Sequence, residues 1–501
     1  MIYLLPDAVR ASASARPAHP AFRCGGAQLT YAELQDRVEQ LAAVLHGRGV
    51  GPGDRVGVLL HRCLETPVAI YAIMRLGAVF VPLNPRAPAA RTAFQLQDCG
   101  CSVIVTHPLQ RRVVAELPER LASAPSVVDV TAPGTAPAAP PPAAITEDDP
   151  AYLIYTSGST GDPKAIVHSH RSGLAFARLM VDTFGLTRDD VFGNHAPVFF
   201  DVSQLALFGA PLLGATAVLA TDAEVLFPAS LSKLIGQEAV TVWYSVPLAL
   251  IQLLDQPREW GALRWVFYAG EPFPPRQLAA LMRSLPRARV ANLYGPAETN
   301  VCTAYVLPGP PEGDEPVPIG TAWARTDVLI EDGELCIRSP TLMRGYWRRP
   351  ELNARAFLLR PGVDGLPDRY YRSGDLVERR ANGLLYFRGR RDSQVKVRGY
   401  RVELGAVETA LLAHSGVREA VVLATDGERR QLAAAVLPAA GGAAPSEREL
   451  RVHLGQRLPD YAVPATIHPL EEFPRTGTGK VDRPALLRQL ESTWNRPSSI
   501  L

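Results

Sequence analysis

The run Tyr155-Thr-Ser-Gly-Ser-Thr-Gly-Asp-Pro-Lys164 gathers hydroxyls, two glycines and a lysine directly after Ala151-Tyr-Leu-Ile-Tyr155, an apolar stretch with the length of a buried strand. Residues of these types in this order suit the cradling of a phosphate. A parallel strand would end where the loop begins, so backbone N–H groups could converge there on an anion. Gly158 and Gly161 let the chain approach without a Cβ, Thr156, Ser157, Ser159 and Thr160 offer hydroxyls, and Lys164 adds positive charge. This is not the common P-loop, because Asp162 and Pro163 separate the last glycine from the lysine and Ala165 follows it. Taken alone, such a run also reads as a flexible loop, so the assignment rests on what lies around it.

The elements that would hold the loop are those of an α/β protein. Cys24-Gly25-Gly26-Ala27 reads as a hairpin turn, Thr30-x-x-Glu33 as a capping box opening a helix that ends near Gly47, and Asp54-Arg-Val-Gly-Val-Leu-Leu60 as a strand. Alternating strand and helix patterns resume at Ala151 and run through Val240 to Leu293, which predicts parallel or mixed sheets covered by helices. The proline- and alanine-rich stretch from Thr131 to Ala144 reads as a surface linker or long loop. Near Gly389-Arg-Arg-Asp392 the pattern changes to short strands plus helices. This divides the chain into a large N-terminal domain, residues 1–391, and a small α+β C-terminal domain, residues 392–501. In the latter, Glu403 to Ala413 and Ser446 to Leu458 read as helices, and Val417 to Ala424 and Gln431 to Leu437 as strands.

Composition narrows the function classes. At 501 residues, 47% hydrophobic and 20% charged, the chain is expected to be a soluble globular protein of at least two domains. A net charge of +2 without blocks of like charge gives no reason to expect nucleic acid or an anionic membrane. Six scattered cysteines suggest neither a disulfide scaffold nor a zinc site, and Cys99-Gly-Cys101 reads as incidental. Met1-Ile-Tyr-Leu-Leu5 lacks a basic lead, and the apolar stretch from Leu205 to Ala220 is broken by Gly209, Pro211 and Gly214. No membrane association and a cytoplasmic location are therefore expected.

Downstream of the glycine loop follow Phe200-Asp-Val-Ser203, Asn292-Leu-Tyr-Gly-Pro-Ala-Glu298, Gly333-Glu-Leu-Cys336, Tyr371-Arg-Ser-Gly-Asp375, Gly389-Arg-Arg-Asp-Ser-Gln-Val-Lys-Val-Arg-Gly399, Leu458-Pro-Asp-Tyr461 and Gly479-Lys-Val-Asp-Arg483. In this order, over nearly the whole chain, they resemble the adenylate-forming enzymes, and among them a stand-alone amino-acid adenylation enzyme of nonribosomal peptide synthesis. Ala165 and Ala297 depart from a usual glycine and a usual threonine. The resemblance implies ATP and Mg2+. A carboxylate oxygen must attack the α-phosphate, and since two anions repel, the site needs cations and donors aimed at the transition state. By resemblance, Lys164 and Thr160 serve the phosphates and Glu298 is the Mg2+ ligand. Tyr294 would stack on adenine in a nucleotide site that includes Asn292, Gly295 and Thr299. Asp375 would accept both ribose hydroxyls and Arg390 would reach the ribose. Lys480 would bridge carboxylate and phosphate as the main catalytic group, Asp392 would be the hinge of a mobile C-terminal domain, and Lys396 would lie on the face used for thioester formation. Alone, Asp375 reads as a turn-capping aspartate and Lys480 as a solvated surface lysine.

Asp201 discriminates among substrates, because a carboxylate beside the acyl pocket pairs with an α-amino group; its bland alternative is a helix-capping aspartate before Ser203. The other pocket positions implied by the resemblance are Val202, Leu205, Tyr244, Phe267, Ala269, Leu293, Val301 and Cys302, almost wholly apolar. Leaving a polar side chain unpaired there would cost about 1 to 3 kcal/mol. The string resembles enzymes that load L-proline onto a carrier protein, so L-proline is the first expectation; valine, leucine and pipecolate remain open, one methylene being worth only about 1 to 3 kcal/mol. No carrier segment follows the last motif, so the expected acceptor is the phosphopantetheine thiol of a separate carrier protein. A CoA ligase and a nucleotide-binding protein without catalysis are the alternatives.

Overall fold

Glu33 donates its backbone N–H to the Thr30 hydroxyl and returns its carboxylate to the Thr30 N–H, so the predicted capping box starts the helix Tyr31–Gly47. Ahead of it, strands Pro20–Cys24 and Ala27–Thr30 pair antiparallel through Gly25 and Gly26, both at positive φ as a tight primed turn requires. The computed structural model describes residues 2–132, 140–156, 163–391, 394–397, 399–425, 431–439, 445–475 and 481–494. The chain divides into two units: Met1–Pro85, Thr92–Tyr155 and Lys164–Arg391 form the first, and Arg86–Arg91, Thr156–Pro163 and Asp392–Leu501 the second.

Among the described residues the first unit holds three sheets, each of which carries residues of the site. The nine-stranded sheet runs, edge to edge, Thr321–Ala322, Thr303–Val306, Arg289–Tyr294, Trp265–Tyr268, Val242–Ser245, Val191–Asn194, Thr216–Leu219, Pro20–Cys24, Ala27–Thr30. Its six central strands, Arg289–Tyr294 through Pro20–Cys24, are parallel. They read as apolar runs because both faces are covered. Alternation sorts their side chains. Tyr244, Phe267, Ala291 and Leu293 enter one core, whereas Trp243, Val266, Tyr268 and Val290 enter another on the opposite face. The seven-stranded sheet runs Gly345–Tyr346, Lys164–Ser169, Pro150–Thr156, Val79–Pro82, Arg55–Leu59, Val103–Thr106, Ser126–Asp129. The third sheet contains the long strand Pro367–Arg379 paired antiparallel with Leu385–Arg390.

The second unit carries a hairpin, Gln394–Val397 with Tyr400–Glu403, and a three-stranded sheet of Val417–Ala424, Leu432–Pro438 and Thr466–Pro469. Helices Leu404–Leu412 and Glu447–Gly455 bury Val407, Leu411, Leu450 and Leu454 in one core with Val422 and Val436. The second helix is shorter than expected at both ends, since Ser446 is its cap and Leu458 lies beyond it. No described helix is long and apolar enough to cross a membrane.

Candidate active site

The strand Pro150–Thr156 delivers the glycine loop as expected, but residues 157–162 lie outside the described residues, so Ser157, Gly158, Ser159, Thr160 and Gly161 remain expectations. The same holds for Asp392 and Lys480. What can be tested at the strand's end is Thr156: its Oγ1 is buried and has no hydrogen-bond partner among the described residues. A buried hydroxyl left without a partner costs free energy, and a phosphate oxygen would relieve that cost. On the other side of the loop, Lys164 opens the strand Lys164–Ser169, its Nζ 3.3 Å from the Tyr346 hydroxyl and 4.5 Å from that ring's centroid.

Glu298 is fully buried and accepts a 2.6 Å hydrogen bond from the Tyr346 hydroxyl. The loop that carries it is closed tightly. Asn300 adopts a left-handed φ of 51°, and a Cβ on Gly295 would fall 1.5 Å from the Asn300 carbonyl oxygen. Thr299 is fully buried, its N–H bonded to the Pro296 carbonyl and its own carbonyl accepting from the Thr341 hydroxyl. His168 lies under this loop with Nε2 donating to the Ala297 carbonyl at 2.9 Å, and burial pushes its pKa down to about 4. No group of three or more His, Cys, Asp or Glu side chains able to hold a metal occurs among the described residues. One carboxylate fits Mg2+ nonetheless, because that ion is commonly held by one or two carboxylates together with phosphate oxygens and water.

Asp375 and Arg390 are direct cross-strand partners, and Arg390 donates to the Asp375 carboxylate. Tyr294, at the end of strand Arg289–Tyr294, donates its hydroxyl to the same carboxylate, and burial followed by the Asp375 charge raises the phenol's pKa. The three form one cluster: a buried carboxylate held by a phenol and a guanidinium. A turn-capping role does not describe Asp375, which lies within a strand. The strand residues just before it are braced by Glu334, which accepts from the Gly374 N–H at 2.9 Å and from Arg372 at 2.7 Å. Asn292 is buried nearby with its amide donating to the Pro318 carbonyl.

Asp201 is the first residue of a short turn, Asp201–Ser203, and Phe200 is the residue that precedes it, so the helix-capping alternative does not fit. Its carboxylate lies close enough to Tyr152 and Tyr244 to raise both phenol pKa values beyond the effect of burial. Val202, Leu205, Tyr244, Phe267, Ala269, Leu293 and Val301 share one core. Tyr244 meets Phe267 edge-on at 6.3 Å, and Leu205 begins a π-type turn, Leu205–Gly209. Cys302 departs from the group. Its thiol donates to the Tyr294 carbonyl and packs with Tyr294, Ile319 and Leu335, because the extended residues entering the strand Thr303–Val306 alternate in direction. Lys396 is half-buried on the hairpin of the second unit, opposite Arg401.

Two groups escaped the sequence reading. Gln204 Oε1 accepts from Tyr152 at 3.1 Å and from Asn300 at 2.7 Å, tying the Asp201 turn to the Glu298 loop. Tyr346 joins Lys164 to Glu298 across separations of 182 and 48 residues. No local pattern announces either.

A model of AMP-binding enzymes matches residues 9–347, and one of the AMP-binding enzyme C-terminal domain matches residues 406–480. The chain belongs to the AMP-binding enzyme family. This AMP-binding enzyme is 36% identical over 488 residues to an L-proline--[L-prolyl-carrier protein] ligase of Pseudomonas fluorescens, covering 92% of this chain and 94% of that protein. It is 38% identical over 501 residues to the isonitrile lipopeptide synthase of Mycobacterium tuberculosis, of which it spans 19%. Among solved structures, an NRPS protein containing adenylation and PCP domains, bound to a vinylsulfonamide inhibitor, superposes with a TM-score of 0.85 at 27% identity, over 97% of this chain and 84% of that one. The adenylation domain AlmE of Vibrio cholerae in complex with glycyl-adenosine-5'-phosphate gives a TM-score of 0.85 at 25% identity over 98% of each chain. This AMP-binding enzyme is thus an adenylate-forming α/β protein with a large N-terminal and a small C-terminal domain.

Proposed function

We propose that the chain activates L-proline with ATP to prolyl-AMP and passes the prolyl group to the phosphopantetheine thiol of a carrier protein. The observation that carries the amino-acid part is Asp201, a carboxylate adjoining Tyr152 and Tyr244 beside an otherwise apolar core. Asp201 is half-buried on its own and pairs with the substrate's ammonium; once bound substrate shields that pair from water, removing one partner costs about 3 to 5 kcal/mol. Proline's secondary ammonium retains two N–H donors, and the edge-on pair of Tyr244 and Phe267 offers flat apolar walls to a five-membered ring. The 36% identity to a proline-loading ligase supports the same choice.

In the first step a carboxylate oxygen bonds to the α-phosphorus and pyrophosphate leaves. Thr156 and Lys164 bind phosphate oxygens, together with the glycine loop, and Tyr294, Asp375 and Arg390 receive the nucleoside. Lys480 bridges carboxylate and phosphate. Glu298 would hold Mg2+, which would supply neutralisation of the triphosphate charge. In the second step the carrier thiolate attacks the acyl carbon and AMP leaves, with Asp392 as the hinge and Lys396 on the thioester face.

A screen of amino-acid-dependent exchange of labelled pyrophosphate into ATP tests the reading. L-proline should give the highest kcat/KM, ahead of pipecolate, valine and leucine. Absence of exchange with every apolar amino acid would end it, and thioester formed on free CoA but not on a phosphopantetheinylated carrier would reassign the acceptor.

A further inference from the structure

We propose that Tyr346 is a positioning residue for the nucleotide half of this site, its hydroxyl aiming the Glu298 carboxylate at Mg2+–ATP while tethering Lys164. The proposal rests on the ATP chemistry above and adds to it a residue that the motif order does not supply. The hydroxyl sits between the two charged groups. It donates to Glu298 Oε1 at 2.6 Å and receives the Lys164 ammonium at 3.3 Å, with the Tyr371 hydroxyl 3.2 Å away. A phenol donating to a carboxylate forms a charge-assisted bond, short and directional, so it fixes which way the carboxylate plane faces.

The backbone around Tyr346 is built to hold that hydroxyl in place. The Met343 N–H bonds the Glu298 carbonyl at 2.8 Å, and the Arg344 and Trp347 N–H groups bond the Val167 and Ala165 carbonyls, each at 2.9 Å. The segment therefore straps the Glu298 loop to the strand that begins with Lys164. Asn353 clamps the strap from behind: its Oδ1 accepts from the Tyr346 N–H at 2.7 Å and its Nδ2 donates to the Tyr346 carbonyl at 2.9 Å. Gly345 makes the clamp possible, because at φ +151° a Cβ there would lie 2.9 Å from Asn353 Oδ1. Tyr346 is buried, so the phenol cannot exchange its partners for bulk water at low cost. Mg2+ demands near-ideal octahedral geometry, and losing an outer partner of a metal ligand typically costs about 10- to 100-fold in metal affinity.

The experiment compares the unaltered protein with Tyr346→Phe, Glu298→Gln and the double variant. Calorimetry follows binding of α,β-methylene-ATP as Mg2+ is varied, and pyrophosphate exchange follows kcat and KM. Tyr346→Phe should raise the half-saturating Mg2+ concentration about 10-fold or more and lower kcat, leaving the amino-acid KM within about 2-fold. In the Glu298→Gln background the same change should shift Mg2+ dependence no further. An unchanged Mg2+ requirement, a shift that adds fully to that of Glu298→Gln, or a loss expressed mainly in the amino-acid KM would overturn the assignment. Should Tyr346→Phe not fold, Asn353→Ala, which loosens the clamp and keeps the phenol, must give the same Mg2+ shift. The calorimetric arm needs no amino acid, so an error in the choice of amino acid would not disturb it.

Discussion

Asp201 and the buried histidines set the behaviour expected of single residues. Asp201→Ala leaves the substrate ammonium without its partner, so kcat/KM for L-proline should fall by about 100-fold or more, the equivalent of roughly 3 kcal/mol. Exchange kinetics check this, and a loss below about 5-fold would remove Asp201 from recognition. Three imidazoles respond to pH through stability. Burial lowers the pKa of His168 and His170 to about 4 and of His195 to about 3, against 6.5 for the unperturbed group. Between the folded and unfolded values the unfolded chain binds more protons, so stability rises with pH across that window. Their contribution is complete above the unfolded pKa and is lost as pH falls through the folded values. The thermal midpoint should therefore drop steadily between pH 6.5 and pH 4. His168→Phe, which retains a ring to stack on Tyr152, should flatten the slope, and an identical slope would contradict the neutral, Nε2-donating imidazole.

At the scale of elements, the site depends on one short connection, from Gly295 to Val301, that holds its shape by contact. Gly295→Ala cannot be accommodated without moving the Asn300 backbone, which carries Glu298 and Val301 with it. It should cost exchange activity more than about 100-fold, and near-normal exchange would show that the loop relaxes freely. Remote from the site, Thr30→Ala should destabilise by about 1 kcal/mol in denaturant melts and leave exchange untouched, since it removes only a helix cap. The same scale separates what was legible in the sequence from what was not. The helix Tyr31–Gly47, the hairpin at Gly25 and Gly26 and the strand into the glycine loop announce themselves because caps, turns and apolar runs are local. The pairing of Asp375 with Arg390 depends on the register of an antiparallel pair that no local pattern fixes. Tyr346 and Gln204 act across long separations, so their roles exist only once the sheets are assembled. Cys302 is a pocket position implied by the resemblance, and the change of direction along the chain turns its thiol into the adjacent core.

On the scale of the whole molecule, the two faces of the nine-stranded sheet feed different cores: one holds Tyr244, Phe267 and Leu293, with Asp201 close to Tyr244, and the other buries Trp243, Val266 and Val290. Adenylation would therefore depend on the first face. Val290→Ala, on the second face, should lower stability by about 1 to 3 kcal/mol with no change in amino-acid preference. The account as a whole stands on recognition of a substrate nitrogen by a carboxylate in apolar surroundings. Its most direct test compares pyrophosphate exchange for L-proline and for cyclopentanecarboxylate, a ring of the same size with carbon in place of nitrogen. The expected result is a preference for L-proline of about 100-fold or more that collapses in Asp201→Ala. Equal exchange with both acids, or a preference that survives Asp201→Ala, would contradict it.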